Sequence, residues 1–368
     1  MLAAQERPTP FMRHEYLSAL ELSGSAEAGT GWAPRPLTVE ADGRLLAACA
    51  LYLKAHSYGE YVFDWAWADA YRRHGLRYYP KGLVASPFTP VQGSRLLARD
   101  PAARSALAQA LCRVAALAGL SSLHMLFGDD ADVSALHADG WAVRSGVQFH
   151  WSQYEDRPVV DWSDLLQRMQ RDKRKKIQQE RRKVAEAGIE FQALEGRAIG
   201  EADWDFFHRC YTATYHAHGS DPYLTRDFFR RVAADLSEHW LLFVARRGGV
   251  RVACSLIAID RARAWAWGRY WGALEHVPCL HFEACYYQPL QWCLAEGIRR
   301  FEGGAQGEHK MARGLMPVTM RSAHWIADAR FRKAIEDAVD RETAGLVEYV
   351  DELRERSPFR SVPGTGAG

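Results

Sequence analysis

The chain contains no asparagine. A Cys-His-Asn protease, a kinase-type catalytic asparagine and an N-glycosylation acceptor are therefore excluded, since each needs that side chain in a fixed role. Lysine is scarce, at 8 of the 47 basic residues, and arginine supplies the other 39. Both biases are those of a GC-rich coding sequence. The seven cysteines (Cys49, Cys112, Cys210, Cys254, Cys279, Cys285, Cys293) are odd in number and include no C-x-x-C pair. This favours reduced thiols in a cytoplasmic protein over a disulfide framework. Cys279, His281, Glu283, Cys285 and Cys293 lie close in sequence, but their spacing fits no standard zinc pattern, so no metal is expected. No 18-residue uncharged apolar run occurs, and the N-terminus lacks a basic stretch followed by an apolar one. The expectation is a soluble protein without stable membrane insertion. Also missing are G-x-x-x-x-G-K-[ST], G-x-S-x-G and H-E-x-x-H, and with them the commonest nucleotide, hydrolase and metalloprotease signatures.

Hydrophobic residues fill 48% and charged residues 25% of the 368 positions, enough apolar side chain to bury a core without staples. At about 150 residues per domain, the length points to two domains. The formal charge of +2 argues against a protein that coats DNA. Two hairpins anchor the map: PLTVEADGRLLAACALYLK turning at Asp42 and Gly43, and LLFVARRGGVRVACSLIAID turning at Gly248 and Gly249. Aligning Cys49 on Cys254 also matches Val39 with Val244, Gly43 with Gly248, Ala48 with Ala253 and Leu51 with Leu256. Each hairpin follows a helical stretch, around 13–22 and 201–236. Each precedes an amphipathic helix and a short strand: PAARSALAQALCRVAALAG with SSLHMLFG, and HFEACYYQPLQWCLAEG with RRFEGGA. The recurring order, helix, hairpin, strand, helix, strand, predicts a mixed α/β fold built from two copies of one domain.

Between the copies lies a basic helix. From 165 to 187 nine basic residues (Arg168, Arg171, Lys173, Arg174, Lys175, Lys176, Arg181, Arg182, Lys183) face three acids (Asp172, Glu180, Glu186), a local charge of +6. Leu165, Met169, Ile177 and Val184 give it a thin apolar stripe, and Gly188 ends it. So one-sided a charge suits a phosphate or an RNA backbone. The densest polar chemistry lies at 269–324. Glu283 and Tyr287 are i, i+4 neighbours, His281 shares their face only approximately, and Pro289 should kink or restart the helix. Past the next strand, Glu302, Gln306, Glu308, His309, Lys310 and Arg313 stand among Gly303, Gly304, Gly307 and Gly314, where backbone amides can approach a ligand closely. Arg300, Gly303 and Ala305 satisfy R-x-x-G-x-A, but not at the strand-to-helix junction between 272 and 281 where acetyl-CoA enzymes use it, so the match reads as coincidence. Trp265, Trp267, Tyr270 and Trp271 read as core more readily than as a cleft wall.

The stretch FEGGAQGEHKMARGLMPVTMRSAHW, together with LHFEACYYQ, QFHW at 148–151 and RKKIQQERR, resembles the FemAB-like family of the GNAT superfamily over about residues 14–334. The resemblance implies two tandem GNAT-like (acyl-CoA N-acyltransferase) domains in a Fem-type architecture. They are expected at 1–155 and 191–368, with a basic helical connector at 156–190 and the site in the second. Fem-type relatives transfer an amino acid from aminoacyl-tRNA to an amine on a peptidoglycan precursor. The implied activity is acyl or aminoacyl transfer, with acyl-CoA or aminoacyl-tRNA as donor and no tightly bound cofactor. The acceptor would be a small-molecule or peptide amine. Such chemistry must deprotonate an ammonium and stabilise an oxyanion. Glu283 or His309 is the expected base, and Tyr287 the group that protonates the leaving group or holds the intermediate. Lys310 and Arg313 would bind donor phosphates, joined by His281, Gln306, Glu308 and Arg269. Arg174 and Lys175 on the basic helix would meet tRNA. The alternatives are a CoA-dependent N-acetyltransferase and a non-catalytic protein that recognises a cell-wall fragment or RNA.

Overall fold

Both glycine turns form where expected in the computed structural model, which describes residues 1–305 and 307–360. Asp42 and Gly43 take φ of 50° and 70°, and Gly248 and Gly249 take 54° and 80°, the left-handed pair that lets a two-residue hairpin follow the strand twist. The strands are β1 (Trp32–Pro34), β2 (Leu37–Ala41), β3 (Arg44–Cys49), β4 (Leu51–Lys54), β5 (Lys81–Val84), β6 (Leu97–Ala98), β7 (Ser122–Met125), β8 (Ala142–Ser152), β9 (Ile189–Glu195), β10 (Trp240–Arg247), β11 (Val250–Asp260), β12 (Trp265–Ala273), β13 (Arg300–Glu302) and β14 (Met316–Ile326). The α-helices are α1 (His14–Leu22), α2 (Trp65–Arg73), α3 (Pro101–Leu117), α4 (Asp130–Ala138), α5 (Trp162–Arg168), α6 (Arg171–Glu186), α7 (Glu201–Ala217), α8 (Arg226–Asp235), α9 (Leu280–Phe282), α10 (Gln288–Ala295) and α11 (Ala329–Glu355). They form two compact units, neither continuous in sequence. The first comprises Met1–Val147, Tyr223–Phe228 and Thr319–Tyr349; the second comprises Gln148–Pro222, Phe229–Val318 and the chain from Val350 on.

In the first unit the strands run β1-β4-β5-β7, followed by residues 319–326 of β14, and β2-β3-β6 form a separate small sheet. Helix α3 starts where its sequence says it should, with Pro101 first and the Asp100 side chain accepting the Ala103 N–H at 2.8 Å. Its buried stripe, Leu107, Leu111 and Ala115, packs with Leu51, Leu123 and Met125. Each fully buried leucine there contributes about 1.5–3 kcal/mol. The parallel strands β5 and β7 diverge after Val84 and Met125, and the chain itself fills the space beyond them. Residues 85–96 are all buried. Gly93 N–H donates to Phe127 O at 2.9 Å, Gln92 Nε2 to Gly128 O at 3.1 Å, and Leu96 N–H to Asp132 at 2.9 Å.

In the second unit the strand order is β13-β12-β11-β10-β9, with residues 148–152 of β8 beside β13. The two hairpins therefore differ in setting. β10 and β11 lie inside their main sheet, whereas β2 and β3 form a small separate sheet in which β3 pairs with β6, because the chain leaves β3 at Ala50 and only β4 joins the larger sheet. Helix α7 lies close on β12: a Cβ on Gly272 would fall 2.1 Å from Cys210 O. The basic segment is not one helix. It breaks at Met169 and Gln170, where Met169 pairs with Phe359 and Gln170 N–H donates to Pro358 O at 2.8 Å. Backbone partners outside the helix thus replace the helical bonds across 169–170, and Gly188, at φ 72°, closes α6.

Candidate active site

The parallel pair β12 and β13 is short. Pairing runs from Trp265 with Arg300 to Trp267 with Glu302 and stops, while β12 continues to Ala273 against β11. Gly303, Gly304 and Ala305 turn away, and a cleft of about 310 Å³ opens between them and β12. Its walls are Ser255, Ile257, Gly268, Arg269, Tyr270 and Trp271 from the sheet, with His281, Cys285 and Tyr286 from the following helix, and His309 and Lys310. Among the described lining residues there is no carboxylate, against Arg269, Lys310 and two histidines. The aromatic run divides where the β11–β12 register shifts: Trp267 is 1% exposed in the core and Trp265 half-buried, whereas Tyr270 and Trp271 line the cleft. Trp267 follows the expectation for a core; Tyr270 and Trp271 are exceptions to it.

The helix after β12 carries the largest departure from sequence reasoning. Between α9 and α10, Glu283–Tyr287 forms a π-helical turn, just before Pro289, which has no N–H to give to the carbonyl four residues back. In this geometry His281 and Tyr286, five apart, face the cleft together, their rings 5.7 Å apart. Glu283 and Tyr287 do share a face, as their spacing predicts, but that face meets α6. Arg181 donates to Glu283 at 3.0–3.2 Å, and Gln288 Nε2 donates to it at 2.7 Å. The Tyr287 hydroxyl donates to Glu180, a short contact. Tyr286 is the residue the sequence reading missed. Its only signal is the i, i+5 spacing from His281, which an α-helical template does not test.

Residues 308–313 form a 3₁₀ turn that brings three further groups together. His309 stands exposed at the cleft mouth with Nε2 3.2 Å from the Tyr286 hydroxyl; partial burial and the charges of Arg313 and Lys310 hold its pKa below the ordinary value. Burial keeps the Tyr286 hydroxyl protonated far above neutrality. His281 is pushed down to about 4, by burial and then by His309, Arg313 and Lys310, so it is neutral. Lys310 is 3% exposed and lowered to about 8 by burial; its Nζ donates to Gly304 O at 3.0 Å and Ala305 O at 2.7 Å, holding the glycine turn that forms one cleft wall. Arg313 sits behind the cleft, not in it, bonded to Glu180 and to His309 O. Arg269 lines the cleft and donates to the Tyr270 hydroxyl at 3.1 Å. Glu308 is exposed, 3.6 Å from Arg356. Lys175 is exposed on α6 and Arg174 half-buried, neither of them in the cleft lining, and Gln306 lies outside the described residues. Gly303 and Ala305, set aside as a coincidental string, are part of the cleft wall.

Among the described residues no group of three or more His, Cys, Asp or Glu side chains is placed to hold a metal ion, and no helix is long and apolar enough to cross a membrane. A family model described as peptidoglycan biosynthesis/recognition matches residues 2–361. The chain belongs to the FemAB-like family. No curated protein matches its sequence. The FemAB-like chain is similar in fold to a crystal structure of FemX, at TM-score 0.53 and 11% identity over 91% of this chain and 96% of that one. It is similar also to the C-terminal domain of a putative lysylphosphatidylglycerol synthetase from Agrobacterium fabrum (TM-score 0.52, 11% identity, 83% and 88% covered). A third similar structure is L-PGS from Bacillus licheniformis (0.51, 11%, 92% and 98%). At such identities the likeness is one of fold, and that fold is the mixed α/β, tandem GNAT-like, Fem-type architecture that the sequence resemblance implies.

Proposed function

We propose that the protein transfers an acyl or aminoacyl group from an anionic donor to an amine, in the cleft of the second unit. The observation that supports this most is a lining whose described residues include Arg269, Lys310, His281 and His309 and no carboxylate, beside a His309–Tyr286 pair poised for proton transfer. Acyl-CoA and aminoacyl-tRNA both carry phosphates that such a cleft attracts. The acceptor ammonium passes a proton to His309 Nε2. Its nitrogen then bonds to the donor carbonyl carbon, and the carbon–sulfur or carbon–oxygen bond breaks. The second proton lost by the nitrogen reaches the departing thiolate or alkoxide through the Tyr286 hydroxyl, leaving a neutral amide and one proton on His309 for water. Direct attack fits better than an acyl-enzyme. Burial keeps the Cys285 thiol protonated, and the Ser255 hydroxyl donates to Ala284 O at 2.5 Å. In this reading Glu283 and Tyr287 support the site from the α6 side, and the outer face of α6, with Arg174 and Lys175, offers an RNA backbone a second anionic contact.

Thermal shift with CoA, acetyl-CoA and bulk tRNA tests the donor class. A ligand at 100 times its Kd stabilises by about 2.7 kcal/mol. A shift with either donor that is lost in Arg269→Ala is expected; no shift with any of the three would favour a binding protein for a cell-wall fragment.

A further inference from the structure

Helix α6 buries Ile177, Glu180 and Val184 on one face, and Glu180 is the carboxylate in what is otherwise an apolar stripe on a cationic helix. It is 7% exposed and holds two elements at once. It accepts the Tyr287 hydroxyl from the π turn, and one Arg313 nitrogen lies 3.1 Å from each of its oxygens. The other end of the Arg313 guanidinium donates to His309 O at 2.6 Å, and its centre lies 3.6 Å from the Phe282 ring centroid. Tyr287 does not line the cleft, but its neighbour Tyr286 does and is the partner of His309. One carboxylate is therefore a single step from both members of the proton-transfer pair. Burying that charge is costly, and a leucine at 180 would complete the stripe without the desolvation penalty. The neighbouring pair, Arg181 with Glu283, ties α6 to the π turn but touches neither His309 nor Tyr286.

We propose that Glu180 is a positioning residue that sets the distance between His309 and Tyr286 and keeps Arg313 beside His309. This rests on the reading of His309 and Tyr286 as the reacting pair. The groups that face His309 are Arg313 and Lys310 on its own turn, and His281 and Tyr286 across the cleft. The test follows the His309 imidazole by NMR in the full chain labelled on histidine, its signal assigned by loss in His309→Ala. Glu180→Gln keeps the side-chain size but not the charge that neutralises Arg313; the guanidinium stays bonded to His309 O, so its uncompensated charge moves the His309 titration further down. Val184→Ala, which loosens the same helix face, leaves it in place. In a transfer assay Glu180→Gln lowers kcat tenfold or more with KM within twofold, and the acid limb of the pH profile moves with His309. Equal movement in both variants, or none in Glu180→Gln, overturns the proposal. If Glu180→Gln does not fold, Tyr287→Phe cuts one arm only, and an unchanged kcat there overturns it. The two readings separate cleanly. Transfer that survives His309→Ala sinks the reacting pair but not the positioning, whereas transfer lost in His309→Ala with Glu180→Gln silent sinks the positioning alone.

Discussion

Removal of a group that meets the acceptor and removal of one that braces it from behind have different signatures. His309→Ala should lower transfer at least a hundredfold, in the range of a lost general base, with little change in unfolding free energy, since the side chain is exposed. Glu283→Ala should do the reverse. It strands Arg181 and Gln288 and costs about 3 kcal/mol, read by urea unfolding, with a smaller loss of turnover than His309→Ala. An equal loss of transfer in both would return Glu283 to the role of base. At this scale the sequence disclosed residue types more readily than directions. His281, His309, Lys310 and Arg269, all named from the sequence, line one cleft. Glu283 and Tyr287 face the other way, because side-chain direction depends on a helical register that composition does not encode. Glu180 is the residue whose signal was most readable in hindsight: an acid at i+3 from Ile177 and i−4 from Val184, on the stripe where apolar groups belong.

The elements were largely legible. Both hairpins, α3, the helix after β12 and the strand at 300–302 follow from turn glycines, caps and periodicity. The break at Met169 was not, since its cause is a pairing with Phe359 from nearly two hundred residues away. Nor was the π turn, for which Pro289 was the only local cue. The close approach of α7 to β12 gives a prediction at this scale. Gly272→Ala puts a methyl 2.1 Å from a backbone oxygen, so it should destabilise by about 1–3 kcal/mol, and more if the strand cannot shift, measured by chemical denaturation. Gly249→Ala, with open space around its Cβ but φ of 80°, should cost less, about 1 kcal/mol. A smaller effect at 272 than at 249 would show that α7 packs more loosely than this geometry.

Across the whole molecule the acid response has two opposed parts: buried neutral histidines weaken the fold as pH falls, while Glu60 and Asp132, whose carboxyls burial raises to about 7, strengthen it. His281 in the second unit is held down to about 4 and His324 in the first to about 3, while an unfolded histidine titrates near 6.5. Between those values these histidines bind more protons in the unfolded chain, so their part of the stability falls as pH falls. The loss is about 1.4 kcal/mol per pH unit for each group, starts near pH 6.5, and for His281 ends near pH 4. Urea unfolding of the chain and of His281→Phe at pH 7 and pH 5 measures the His281 share as the difference between their two slopes; equal slopes would refute the assignment. That the first unit fills the space beyond its own parallel pair was not legible in the sequence, because residues 85–96 carry no periodicity of their own. Nor was the return of the chain: Ala323 pairs with Met125, and Ile326, Phe331, Ile335 and Val339 close a core with Trp67, Tyr71 and Tyr78. A chain ending after Val318 should therefore lose protease resistance in the first unit, while retaining β9 to β13. During synthesis the unit begun first stays open for most of translation: some two hundred residues must leave the ribosome before its missing strand arrives, and a nascent chain stalled before then presents an open sheet edge to whatever chaperone or neighbour it meets.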